Sequence, residues 1–214
     1  MSRKAHFFVL YYDPMLTFES IVANPEQGTS VIELKDKTKV LFRPLLPSDV
    51  NALAIFLENL SVQTRERSSF ESYDFNCATE LCDAINKYDK LRFVCEADSG
   101  SDISRIVGLL ELSFGIPESD VKRFADEGIS LNEDSDVRFG PTLADDFQGR
   151  GLGTKAFNEV VEIVRNFGKK RILLWGGVLE LNFPAVKYYE KLGFKKAATF
   201  IKDGKNHFDM ILAI

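Results

Sequence analysis

Gln148-Gly149-Arg150-Gly151-Leu152-Gly153 is the stretch on which the fold turns. Before it, Val137 to Ala144 is an extended, mostly apolar run, which Asp145-Asp146-Phe147 breaks off. After it, Thr154 to Phe167 places apolar residues at Ala156, Phe157, Val160, Val161 and Val164, the spacing of a helix that buries one face. Three glycines in five positions let the backbone turn tightly and come close to a ligand, because no Cβ stands in the way. Their N–H groups then lie at a helix N-terminus, where aligned peptide dipoles favour an anion. Strand, glycine turn and helix in this order make a phosphate cradle.

Spacing decides which phosphate. A Walker A loop closes on a Lys-Ser/Thr pair, and none follows Gly149 to Gly153. A dinucleotide fingerprint, GxGxxG, fails because Gly153 comes one residue early. The stretch resembles Q/R-x-x-G-x-G/A, the pyrophosphate loop of the GNAT superfamily of acetyl-CoA-dependent N-acyltransferases. A second segment carries the same resemblance: Asn182, Ala185, Tyr189-Glu190-Lys191 and Gly193-Phe194 match Asn-x-x-Ala-x-x-x-Tyr-Glu-Lys-x-Gly-Phe. Between the two lies Arg171 to Val178, read as one buried strand. The resemblance covers about residues 38–214 and is most specific over 137–194. The opening, Ile32 to Asp49 followed by Leu60 to Phe70, resembles the protein-lysine acetyltransferase branch.

The family resemblance implies an α/β (α+β) fold, with a central mixed sheet splayed around the coenzyme and helices on both faces. It implies transfer of an acetyl group from acetyl-CoA to a primary amine, on a protein lysine or a small molecule, by direct attack in a ternary complex. The alternative is a non-catalytic acyl-CoA-binding sensor or scaffold. By resemblance, Leu143 and Ala144 offer backbone groups to the pantetheine, and Gly149, Arg150, Gly151, Leu152, Gly153 and Thr154 hold the pyrophosphate. Gln148 braces the loop. Asn182 binds pantetheine or a water, and also suits a helix N-cap ahead of Pro184. Tyr189 is the candidate acid for the departing thiolate. Tyr188 competes with it, although neighbours on a helix point about 100° apart.

The transfer needs the amine to lose its proton. For a lysine of pKa about 10.4 this costs roughly 4.6 kcal/mol at pH 7. Many relatives place a glutamate base ten residues before the loop glutamine, where this chain has Arg138. Glu111 and Asp136, on neighbouring stretches, are the substitute candidates.

At 214 residues and 24.2 kDa the chain is long enough to bury a full core. We expect one catalytic domain over 31–214, with residues 1–30 as an extension packed on it. Hydrophobic content of 45% and charged content of 28% are those of a globular protein. No run of about eighteen apolar residues marks a membrane span, and His6 to Tyr12 is too short for a signal-peptide core. A cytoplasmic protein, monomer or homodimer, follows as the expectation. Cys77, Cys82 and Cys95 read as free, buried thiols, and neither they nor His6 and His207 have metal-ligand spacing.

A net charge of −5 and a pI near 5.2 argue against a nucleic-acid partner. From Asp98 to Asp146 twelve acids stand against four bases, read either as a solvated acidic surface or as a field drawing in a cationic acceptor. Three further elements are expected. Residues 31–47 form a hairpin, and a helix starts at Pro47 with Leu53, Phe56, Leu57 and Leu60 inward. Glu80 to Tyr88 forms another helix. Gly115 to Ser135 is an acidic insertion whose short helix Ser119 can cap.

Overall fold

Val40, Phe42 and Pro44 alternate with Lys39, Leu41 and Arg43, and the alternation becomes an inward face: Val40 and Phe42 are buried, and Phe42 stacks on Phe93 at 4.8 Å. Among the described residues such strands build a nine-stranded sheet. This computed structural model describes residues 16–68, 70–84, 90–98 and 104–214. The strands are β1 (Ser30–Glu33), β2 (Lys39–Pro44), β3 (Lys90–Asp98), β4 (Ser104–Ser113), β5 (Asp136–Leu143), β6 (Arg171–Leu174), β7 (Val178–Leu179), β8 (Lys195–Lys202) and β9 (Lys205–Ala213). The first five run in order as antiparallel neighbours. β6 joins β5 in parallel, and β9 pairs antiparallel with β6, β7 and β8. The expected mixed sheet is present.

Described helices are α1 (Phe18–Ala23), α2 (Val50–Glu58), α3 (Val62–Arg65), α4 (Phe75–Asp83), α5 (Glu118–Asp126), α6 (Leu152–Asn166) and α7 (Phe183–Lys191). They cover both faces. Phe139 points to one face, meeting Phe157 of α6 at 5.2 Å, and Phe157 in turn meets Phe194 just beyond α7. Arg138 and Gly140 point to the other, as do their cross-strand partners Ser113 and Glu111, and Arg92 beyond them. α4 lies on that second face, across a cavity from Glu111 and Arg92. Leu53, Phe56, Leu57 and Leu60 are all buried, as the helical spacing expects. One apolar core runs from Ile21 to Met210.

Several boundaries differ from the sequence reading. α4 begins at Phe75, where the Asp74 carboxylate accepts from the Cys77 amide, and residues 85–88 of the expected helix lie outside the described ones. Ser119 does not cap α5, because Pro117 holds that place. The run 171–178 is not one strand. Gly176 and Gly177, at φ +72° and +67°, insert a bend. Leu173 faces Ile211, which would put Val178 opposite Asn206; it faces Phe208, so the register slips by two residues. Only glycine fits at 177, since a Cβ there would lie 2.8 Å from the Phe208 carbonyl oxygen.

Residues 16–30 pack on the sheet. Leu16 donates its amide to the Asn166 carbonyl, Phe18 sits edge-on to Phe114 at 4.7 Å, and Ile21 is buried. His6 to Tyr12 lies outside the described residues. The three cysteines are free and buried, and burial pushes the Cys95 thiol up to about 12. No described helix is long and apolar enough to cross a membrane.

Candidate active site

The parallel pairing of β5 with β6 ends early. Phe139 faces Leu174, its carbonyl accepts from the Trp175 amide at 2.8 Å, and the two chains then part as β6 runs into the Gly176–Gly177 bend. Gly140 to Leu143 keeps β4 on one side and faces a gap on the other. Backbone groups alternate in a strand, so residues 139, 141 and 143 turn theirs toward the gap. Pro141 falls on that side, where its missing N–H breaks no ladder bond, and it pairs with Leu110 without a bulge. Leu143 directs its N–H into the gap, but its carbonyl already accepts from Gln148 Nε2 at 3.1 Å.

β5 then feeds the glycine turn. Gly149 and Gly151 have φ of +72° and +88°, and Gly151 is the N-cap of α6. The amides of Gly149, Arg150, Gly151, Leu152, Gly153 and Thr154 donate to no group among the described residues. A Cβ on Gly149 or Gly151 would meet nothing within 4 Å. Six free amides at a helix N-terminus, beside open space, fit a diphosphate. The side chains of Leu152 and Ala144 are buried, and only Leu152 has a free amide; Ala144, expected to offer backbone groups, instead donates its amide to the Val107 carbonyl and accepts from the Phe147 amide, both at 2.9 Å.

The loop is held from outside. Asp145 accepts from Ser61 N, Ser61 Oγ and Thr64 Oγ1 at 2.9, 2.6 and 2.6 Å, tying it to the first turn of α3. Gln148 Nε2 also reaches Thr64 Oγ1 at 3.2 Å. Arg150 turns its side chain away from the cradle: Nη2 donates to Asp36 Oδ2 at 2.6 Å and Thr38 Oγ1 at 3.0 Å, and the guanidinium covers the Phe147 ring. That contact pulls the Asp36 carboxyl down to about 2. Arg150 therefore leaves only its amide at the turn, while its charge is matched by Asp36.

Asn182 caps α7, accepting from the Ala185 amide at 3.4 Å. Gly193, at φ +96°, ends this helix, letting Phe194 N return to the Tyr189 carbonyl at 3.0 Å. Tyr189 is buried against Phe194, and Tyr188 stands 5.1 Å from it. Burial pushes both hydroxyls well above the ordinary tyrosine range. The two rings reach different places. Tyr188 Oη would lie 3.2 Å from a Cβ on Gly153, so it abuts the start of α6 beside Leu143. Sequence reasoning treated Tyr188 only as a rival to Tyr189, whereas its hydroxyl stands against Gly153 in the first turn of α6.

The base candidates separate. Asp136 is fully buried at the start of β5 and gives both oxygens to Arg171, at 2.5 and 2.6 Å. Seven residues of strand place it roughly 23 Å from Leu143. Asp136 is thus a structural ion pair and not a base. Asp136→Asn should lower unfolding stability by about 3 kcal/mol, as breaking buried pairs does, and leave turnover per folded molecule within about twofold; urea melts and active-site-normalised rates read the two quantities.

Glu111 stands opposite Gly140, where the gap begins. It borders a cavity of about 570 Å³ together with Arg92, Cys77 and Trp175. Its Oε1 accepts from Arg92 Nε at 2.8 Å. Burial pushes its pKa up, opposed by the charges of Arg92 and Lys90. Arg138, where relatives carry an acid, lies 4.9 Å from the Trp175 ring and donates to Ser113 Oγ and the Gly115 carbonyl. Part of the acidic stretch is paired. Glu111, Asp120, Asp136 and Asp146 pair with Arg92, Arg123, Arg171 and Arg105. Among the described residues no cluster of three His, Cys, Asp or Glu is placed to hold a metal.

The Acetyltransferase (GNAT) family model matches residues 59–194. An uncharacterised N-acetyltransferase of Methanocaldococcus jannaschii is 39% identical over 51 residues, 24% of this chain and 22% of that relative, so the match spans under a quarter of its length. The GNAT domain of S. lividans PAT is similar in structure, with a TM-score of 0.66 at 16% identity over 89% of this chain and 99% of that one. The ribosomal-protein-S5-alanine acetyltransferase of Vibrio fischeri aligns with a TM-score of 0.64 at 15% identity, covering 86% and 96%. These two likenesses concern the fold; with the glycine cradle, the splayed strands and a family match across most of the chain, they make this protein a member of the GNAT acetyltransferase family.

Proposed function

We propose that this protein moves the acetyl group of acetyl-CoA to a primary amine by direct attack in a ternary complex. The observation that carries the reading is the run of six unpartnered amides from Gly149 to Thr154, at the mouth of the gap between β5 and β6. In this reading the amides take the diphosphate. The free edge at Pro141 and Leu143 takes the pantetheine amides as an added strand would, and Asn182 steadies the arm. The thioester supplies the activated acyl group, and the gap through the sheet gives it two sides. α6 and α7 bring Tyr189 from one face, while the Glu111 cavity opens on the other.

Glu111 takes a proton from the acceptor's ammonium group. The neutral nitrogen then attacks the thioester carbon; the C–N bond forms and the C–S bond breaks. Tyr189 gives its proton to the sulfur and recovers one from the new amide nitrogen. Burial keeps Tyr189 protonated at neutral pH, and the same dry surroundings raise the proton affinity of the emerging thiolate. One proton is left on Glu111 for release to solvent.

Acetyl-CoA incubated with a panel of amines and peptides, with free thiol read out, tests the reading: amine-dependent thiol release is expected. Tight coenzyme binding without it means a sensor or scaffold, the reading that Arg138 in place of an acid favours. Stabilisation by NAD or ATP and not by coenzyme A would mean a nucleotide-binding domain. Tyr189→Phe should keep coenzyme affinity and lower kcat at least tenfold; an unchanged kcat removes Tyr189 as the acid.

A further inference from the structure

None of the four residues of α3 is buried, and Val62 at its start is 73% exposed. Apolar packing therefore does not place this turn of helix; polar contacts do. On one side the Asp145 carboxylate accepts from Ser61 N, Ser61 Oγ and Thr64 Oγ1, and Gln148 Nε2 donates to Thr64 Oγ1. Asp145 and Gln148 belong to the segment that runs straight into the glycine cradle. On the other side Arg65 donates through Nε to the Leu60 carbonyl at 2.9 Å and through Nη2 to the Glu58 carbonyl at 2.7 Å, at the end of α2. An element with little buried apolar surface, held by a few hydrogen bonds, opens locally at low cost.

The same turn of helix reaches the cavity beside Glu111. The Arg65 carbonyl accepts from Tyr73 Oη at 2.7 Å, Ser68 Oγ lies 2.7 Å from that hydroxyl, and the Arg65 guanidinium covers the Tyr73 ring at 4.9 Å. Tyr73 meets Phe70 edge-on at 5.8 Å, and Phe70 and Glu71 line the cavity. Next along the chain Asp74 caps α4, which gives Cys77, Glu80 and Leu81 to the same lining. Hydrogen bonds and ring contacts thus run from the segment ahead of the cradle, through α3, to one wall of the cavity.

We propose that α3 couples the two places. A diphosphate in the cradle orders the Asp145–Gln148 segment; Asp145, through Ser61 and Thr64, then fixes α3; and α3, through Arg65 and Tyr73, orders the Phe70–Asp74 wall. Thr64 is the positioning residue of this link, since its hydroxyl donates to Asp145 and accepts from Gln148. Ordering passed on in this way makes a second ligand cheaper to bind, with no large movement required. The inference rests on the acetyl-transfer reading for what fills the cradle, and on the contacts of α3 alone for the coupling.

Amide hydrogen exchange tests it, with coenzyme A as the probe. In the parent, saturating coenzyme A should slow exchange at least about fivefold, the low end of measured couplings, in three places: the cradle, Val62 to Arg65, and Phe70 to Asp74. Thr64→Val keeps the shape of the side chain and removes the hydroxyl. In that variant the slowing should persist in the cradle and fall below about twofold in the other two stretches, and Thr64→Ser should restore it. For the amines of the panel that release thiol, KM at saturating acetyl-CoA should rise at least about fivefold in Thr64→Val, with kcat within about threefold of the parent. A merely structural loss would speed exchange in the free variant and leave the effect of coenzyme A in place. Slowing confined to the cradle in the parent, or slowing in all three places in Thr64→Val, would overturn the coupling and spare the acetyl-transfer reading. No slowing anywhere would sink the cradle, and the coupling with it.

Discussion

A Gly151→Val variant is expected to bind coenzyme A at least a hundredfold more weakly than the parent protein. Gly151 sits at φ +88°, and a Cβ built on it meets nothing within 4 Å. The chain itself therefore has room for the new side chain. What valine would occupy is the space in front of the six free amides, where the diphosphate is proposed to lie. A hundredfold loss corresponds to about 2.8 kcal/mol, a small demand on a branched side chain set against a charged group. The left-handed backbone adds a separate cost of about 1–2 kcal/mol for any residue with a Cβ. Gly128 controls for it, since it has φ +75° and equally open surroundings at the end of α5, far along the chain from the cradle. Gly128→Val should share the stability loss and keep coenzyme affinity. Titration calorimetry on both variants separates strain from occlusion, and a Gly151→Val protein that binds within threefold of the parent would remove the cradle as the site.

Glu111→Gln is expected to lower turnover by about 10²–10³-fold, the contribution typical of a positioned general base. The amide keeps an oxygen for Arg92 Nε, so the fold should survive. The pH profile gives the sharper reading. Burial raises the Glu111 pKa, and only the ionised form can take a proton. In the parent, kcat/KM should fall as pH drops through that raised value, giving an acidic limb above the ordinary carboxylate range near 4.3. In Glu111→Gln this limb should vanish, leaving a rate that climbs with the amine's own deprotonation. A retained limb would put the base elsewhere, for instance on a water chain.

The glycine turn, α6 and α7 were legible because local chemistry dictates them: positive-φ glycines, helical spacing, an N-cap at Asn182 and a glycine stop at Gly193. What sequence missed depends on residues far apart in the chain. Asp136 looked like a base because its partner, Arg171, stands 35 positions later. The break after Leu174 was hidden in an apolar run, and only its pairing to β9 reveals the slipped register. Arg92 drew no attention as an ordinary charged residue in a strand; only the pairing of β3 with β4 shows that it stands opposite Glu111 and donates to it. Tyr188 shows the same limit at short range. Helical geometry says that it and Tyr189 diverge, but not that one of them abuts Gly153.

The place of β9 bears on how the molecule is made. It pairs with β6, β7 and β8, yet it is the last of the described strands. Until residues 205–213 have docked, the edge of β6 away from β5 stays bare along Arg171 to Leu173. A released chain in which β9 has not yet docked exposes an unpaired, apolar strand, the kind of edge that recruits chaperones or aggregates.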